Sequence, residues 1–154
     1  MRSTVTIAHE PLTTRQQHSL RALAGEMVPP SDAFGVPGAD DDRIFADIVA
    51  SLGRDTPQVA LALARLDEWA GGHFGGLPVG QQQALTQRLR DEAPALALAL
   101  VNTVVRCYYR DDRVMRSLNM EVRAPFPKGF ALEQGDWSLL DPVRARGKAY
   151  RDAE

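Results

Sequence analysis

Three histidines, one cysteine, an aspartate triplet and a glycine-rich turn are the residues of this chain whose types and spacing could carry chemistry. His9 lies in a polar N-terminal stretch, His18 on the outer face of a first helix and His73 among glycines. None has a metal-ligand neighbour one helical turn away, so no metal site is expected. Cys107 stands beside Arg106 and one turn before Arg110, a setting that could lower a thiol pKa. No His or Asn is spaced to complete a nucleophile signature, and a buried small hydrophobe is the expected role. A single cysteine also excludes an intrachain disulfide and a thiolate zinc cage.

Asp40-Asp41-Asp42 lacks the alternating ligands, the glycine and the distal glutamate of a calcium loop. It reads instead as the start of a helix, where negative charge meets the positive end of the dipole. Gly71-Gly72-His73-Phe74-Gly75-Gly76 has no preceding strand and no following Gly-Lys-Ser/Thr, so it reads as a connection between helices rather than a phosphate cradle. No catalytic, cofactor-binding or metal-binding residue is expected in this chain. A stand-alone small enzyme using Asp67 or Glu68 with His73 is the rival reading, and it is disfavoured because nothing in their spacing fixes a geometry.

The elements that position these residues are helices. Thr13 and Gln16 form a capping box ahead of Leu20, Leu23, Ala24 and Met27, and Pro29-Pro30 ends the run. The second helix carries Ile44, Phe45, Ile48, Val49 and Leu52 inward and stops at Gly53. A third starts at Asp55 or Thr56 with Pro57 in its first turn and turns Val59, Leu63, Leu66 and Trp69 or Ala70 inward. The fourth spans about Gln81 to Arg90, and the fifth opens at Pro94 and runs to about Arg110. Ala95–Val105 is apolar nearly all round, so this helix is expected to be covered on every side. Leu98 and Val101, or Val104 and Val105, are then almost fully buried, and Val101→Asp prevents soluble expression. Asp111 or Asp112 caps a short sixth helix to Leu118, and Asp141-Pro142 opens a last one ending at Gly147.

The fold class is therefore all-α: a compact orthogonal bundle of about five to six helices with an extended, irregular C-terminal arm. The division is a flexible arm over 1–11, a helical domain over 12–118 and the extended arm over 119–154. A chain of 154 residues suits one domain and buries a core without staples.

A net charge of −2 argues against a nucleic-acid partner, and a helical regulator that binds nucleic acid is the least favoured reading. The longest apolar run, Ala93–Val105, is too short to span a bilayer, so no direct membrane insertion is expected. No apolar leader or twin-Arg signal is written in the chain, which gives a cytoplasmic address as it stands. The bias of 16 Arg against 2 Lys suits a bacterial, GC-rich genome and contact surfaces alike. From Arg106 onward lie ten of the 18 basic and eight of the 20 acidic residues, a net of +2. The same third holds Tyr108, Tyr109, Phe126, Phe130, Trp137 and Tyr150, and Arg with Tyr and Trp is the composition of interface hot spots. These aromatics either contact a partner or pin the arm to its own helices.

Leu12-Thr13-Thr14-Arg15-Gln16, then Leu20-Arg21-Ala22-Leu23-Ala24 and Met27-Val28-Pro29, resembles the opening of the gluconate 2-dehydrogenase subunit 3 family. Pro37-Gly38-Ala39 before an acidic helix start, His73-Phe74-Gly75-Gly76-Leu77-Pro78 before Gln81-Gln82, and Tyr108-Tyr109-Arg110-Asp111-Asp112-Arg113-Val114 are similar to further segments of that family. The likeness covers most of 12–118 in short, degenerate pieces. It implies a non-catalytic small subunit of a flavin-dependent dehydrogenase complex, whose large partner is an FAD-carrying flavoprotein of the glucose–methanol–choline (GMC) type. It implies a hetero-oligomer in which this chain holds no cofactor and stabilises or matures its partner. Family members typically bring a twin-Arg export signal; its absence here puts an export role in doubt, and a periplasmic address follows only if the chain is a processed form or travels with an exported partner. Tyr108, Tyr109, Arg113, Arg116, Arg123, Phe126, Phe130, Trp137 and Tyr150 are the expected partner contacts, with Arg113, Arg116 and Arg123 pairing with the partner's carboxylates.

Overall fold

A computed structural model describes residues 10–123, 129 and 133–148. His9, Phe126, Phe130 and Tyr150 lie outside the described residues. The fold is all-α, and the chain divides into two compact units between Val122 and Arg123. Among the described residues, the first unit carries six α-helices: α1 (Thr14–Met27), α2 (Asp42–Ala50), α3 (Thr56–Trp69), α4 (Val79–Glu92), α5 (Pro94–Tyr108) and α6 (Asp112–Ser117). The second carries α7 (Asp141–Ala145), entered through a 3₁₀ turn over Trp137–Leu140.

Local chemistry sets most helix ends. Thr13 accepts from the Gln16 amide while the Gln16 side chain accepts from the Thr13 amide, the reciprocal pair that starts α1. Asp41 caps α2 by accepting from the amides of Arg43 and Ile44. Asp111 caps α6 through the Arg113 amide. Pro57 and Pro94 sit in the first turns of α3 and α5, where no amide hydrogen is needed. Gly53 and Gly71 follow α2 and α3 with φ of +47° and +63°, the left-handed backbone that a side chain resists.

Within the first unit, α5 packs against α2, α3 and α4, and α1 packs against α2, α3 and the Phe74–Gly76 turn. The shared core contains Leu20, Leu23, Ile44, Ile48, Val59, Leu63, Leu66, Phe74, Leu89, Leu100 and Val104, all essentially free of solvent. At about 25 cal/mol per Å² of apolar surface buried, the hydrophobic effect in this cluster is the main stabilising contribution.

The turn between α3 and α4 is built by hydrogen bonds as much as by glycine. Phe74 is wholly buried, and its amide donates to Asp67 Oδ1 at 2.9 Å. Buried Gln82, on α4, donates from Nε2 to the carbonyls of Phe74 and Gly75. Both contacts satisfy backbone groups that the turn withdraws from water.

The expectation that α5 is covered on every side is overturned. Ala97, Leu100, Thr103, Val104, Cys107 and Tyr108 face inward, but Leu98 is 57% exposed and Val101 37% exposed. Val105 is half-buried between the two faces. Three neighbouring helices occupy one side of α5 and leave the sector of Leu98 and Val101 to solvent.

Candidate partner-binding surface

The exposed side of α5 borders a groove. Val101 and Val105 form one wall, and Gln83, Thr86, Gln87 and Arg90 of α4 form the opposite one. Glu26, Met27 and Val28, at the end of α1, close it. Its volume is about 680 Å³. The α4 residues recur at spacings of three and four, and Val101 and Val105 are four apart on α5, so each wall is one face of its helix; Leu98 lies on the same α5 face outside the groove.

Glu26 is the unusual member. Its Oε2 is shielded from solvent and has no hydrogen-bond partner. Burial pushes the Glu26 carboxyl above the ordinary glutamate value, and the charge of Arg90 opposes that shift. Arg90 itself donates to Gln87 Oε1 at 2.5 Å. A sheltered carboxylate oxygen beside Met27, Val28, Val101 and Val105 is a polar group in an apolar setting, which costs free energy until a donor reaches it.

The expected contact residues of the C-terminal third fall into different places. Tyr108 is a core residue: it is buried, and its hydroxyl donates to the Pro37 carbonyl at 3.2 Å. Tyr109 is exposed and meets Tyr108 edge to face. Arg113 is engaged inside the fold, donating to both Asp41 and Asp111. Its guanidinium holds both carboxyls below the usual aspartate range, and they in turn raise the Arg113 pKa. Arg116 extends to solvent and pairs loosely with Asp112 at 3.8 Å. In the second unit, Arg123 donates to the Gly129 carbonyl at 2.6 Å. Trp137 is 59% exposed, with its indole donating to Gln134 Oε1 at 3.2 Å, and Leu139, Leu140 and Val143 are exposed beside it in sequence.

Cys107 is buried, and its Sγ lies 3.8 Å from the Asp47 carbonyl. Burial pushes the thiol up, outweighing the neighbouring arginines. Arg110 has its guanidinium on Asp47, with Nε 2.6 Å from Oδ2. His18 and His73 meet across the fold, His18 Nδ1 lying 3.4 Å from His73 Nε2. The spacing in sequence gave no sign of this pair. Asp67 receives the Phe74 amide and the Arg15 guanidinium, so its carboxylate is committed to the turn. Among the described residues, no group of three or more His, Cys, Asp or Glu converges on a metal-sized space, and no helix is long and apolar enough to cross a membrane.

Glu26 was not singled out from the sequence. The available signal was a glutamate two residues past Ala24 and next to Met27, at the border of the α1 apolar stripe. No family model, no curated protein and no solved structure matches the chain.

Proposed function

We propose that this chain is a non-catalytic accessory subunit that binds and stabilises a large FAD-dependent dehydrogenase or oxidase of the GMC type acting on a sugar or alcohol. The observation that carries the reading is the water-facing apolar row Leu98–Val101 beside the 680 Å³ groove. A small domain keeps contiguous apolar surface exposed at a cost in solubility, and a partner surface is the usual reason. The exposed Trp137, Leu139, Leu140 and Val143 in the second unit support the same reading. The likeness of Leu12–Gln16, the His73–Pro78 turn and Tyr108–Val114 to the gluconate 2-dehydrogenase subunit 3 family supplies the partner's class.

The role is thermodynamic. A subunit that binds the folded flavoprotein and not the unfolded chain shifts the folding equilibrium by mass action, about 2.7 kcal/mol at a hundredfold excess over Kd. FAD and the chemistry belong to the large subunit, and the compartment follows that subunit. Co-expression with the flavoprotein encoded by an adjacent gene tests this. The expected result is a yellow complex containing both chains, with the flavoprotein insoluble or less heat-stable alone. Recovery of a fully stable flavoprotein with none of this chain attached would reject the reading.

A further inference from the structure

The groove between α4, α5 and the end of α1 has two properties that together describe an occupant. Its α5 side and its α1 end are apolar, through Val101, Val105, Met27 and Val28. Its sheltered carboxylate oxygen, Glu26 Oε2, lacks a hydrogen-bond partner. Gln83 to Arg90 on the α4 wall spans eight residues, or seven steps and about 10 Å of helix axis, which is two turns; on α5, Val101 and Val105 line the groove and Leu98 continues their face one turn beyond it. Rows of that length match the i, i+3/i+4, i+7 anchors of a short amphipathic helix lying in a groove.

We propose that this groove seats a two-turn apolar helical segment of the flavoprotein partner, and that one Arg or Lys of that segment reaches Glu26 Oε2. The proposal rests on the accessory-subunit reading. The unpartnered Glu26 Oε2 favours a cationic donor over another apolar group, because the charge of Arg90 acts on this carboxyl without a hydrogen bond to it. Glu26 and Arg90 are the charged residues among those lining the groove, and Arg90 is turned onto Gln87. An incoming cation meets a carboxylate whose second oxygen is unsatisfied, in surroundings that strengthen the pairing. Gln83, Thr86 and Gln87 along the α4 wall supply polar groups for the solvent-facing edge of the segment. Burial holds the Glu26 carboxyl above its ordinary range in the free chain, and a partner's cation would draw it back down on binding.

The test uses the full-length chain and the flavoprotein encoded beside it, with affinity measured between the two purified subunits. Glu26→Gln should weaken binding about ten-fold, since it removes the charge and keeps the shape. Val101→Asp should abolish it. Leu61→Asp, at an exposed position on α3, should bind as wild type. A photocrosslinker at Leu98 should join the flavoprotein at a peptide containing Arg or Lys. Melting temperatures of the free variants separate lost contact from lost fold. If the wild-type chain binds the flavoprotein and Glu26→Gln and Val101→Asp bind equally well, the groove assignment is overturned while the accessory role stands. A Leu98 crosslink to a second copy of the chain, or a small molecule retained in the groove in native mass spectra, overturns it too. If the wild-type chain binds no flavoprotein, the accessory reading falls and the groove assignment falls with it.

Discussion

Arg113 forks onto Asp41 across 72 residues of sequence, with Nη2 2.6 Å from Oδ1 and Nη1 3.2 Å from Oδ2. Asp41 is the cap of α2, and the same guanidinium holds Asp111, the cap of α6, with Nε 2.9 Å from its Oδ1. One side chain therefore fastens two helix starts. The Asp111 side chain is only 4% exposed, so its charge depends on this partner and on Arg43 at 3.7 Å.

Arg113→Ala should destabilise the first unit by about 2–3 kcal/mol, because a buried carboxylate is left with a distant cation and one backbone amide. Arg113→Lys should recover only part, since an ammonium cannot fork onto two carboxylates. Urea unfolding of the two variants measures the difference, and a wild-type midpoint for Arg113→Ala would refute the fastening role.

Stability should fall in acid for a defined reason. Asp41, Asp47 and Asp111 have folded-state carboxyls held below the ordinary value by Arg113, Arg110 and Arg113 respectively. Groups depressed in the fold contribute stability above their unfolded pKa, about 4, and lose it as the pH falls through the folded values. Glu26 acts in the opposite sense: its raised carboxyl favours the fold while protonated and opposes it as the pH rises through the folded value. Glu26→Gln should therefore melt higher than wild type at pH 7, with the difference shrinking toward pH 4. Thermal melts across pH 3–8 check both slopes.

Two valines three residues apart on α5 should respond very differently to one substitution. Val104 is fully buried, and Val104→Asp places an uncompensated carboxylate in the core at a cost of several kcal/mol, on the order of the whole stability of a domain. Val101 is 37% exposed, so Val101→Asp should remain soluble and folded. Soluble yield and circular dichroism of the pair read this directly; an insoluble Val101→Asp would put that face inside the fold.

The His73–Gly76 turn lies against α1 at Gly75, whose amide donates to Ser19 Oγ. A Cβ there would lie 2.7 Å from His18 Nδ1 and 3.1 Å from the Ser19 Cα, and the backbone of Ser19 has no way to yield. Gly75→Ala should cost about 1–3 kcal/mol by forcing the turn off α1. Gly72→Ala, which meets nothing within 4 Å, should be close to neutral.

Trp137→Ala should leave the stability of the free chain within about 0.5 kcal/mol of wild type, because the ring is largely exposed. Loss of the proposed flavoprotein complex at unchanged melting temperature would assign Trp137 to the interface. A lower melting temperature with the complex intact would assign it to pinning its own arm.

Much of the helical framework was written locally. The Thr13–Gln16 capping box, the caps Asp41 and Asp111, Pro57 and Pro94 in first turns, and Gly53 and Gly71 after helix ends each act within four residues. Period and punctuation suffice there, because the competing conformations differ in the hydrogen bonding of the same few residues. The inward stripes of α1, α2 and α3 were legible from the three-and-four spacing of their large apolar residues, although α3 also leaves Leu61 on its outer face.

The candidate surface was not legible in this way. Ala95–Val105 carries apolar residues on every side, so its composition does not say that Leu98 and Val101 lie on the uncovered sector; only the placement of α2, α3 and α4 against α5 decides that. Tyr108 and Arg113 were expected among the partner contacts, yet the fold uses both internally, through Pro37 and through Asp41 and Asp111. The sequence by itself determined an all-α chain and where most of its helices begin and end, because capping and periodicity are short-range. The tertiary structure alone decided which apolar face remains open, which arginines are spent inside the fold and that Glu26 is sheltered without a hydrogen-bond partner for Oε2, because burial and ion pairing depend on groups brought together from distant parts of the chain.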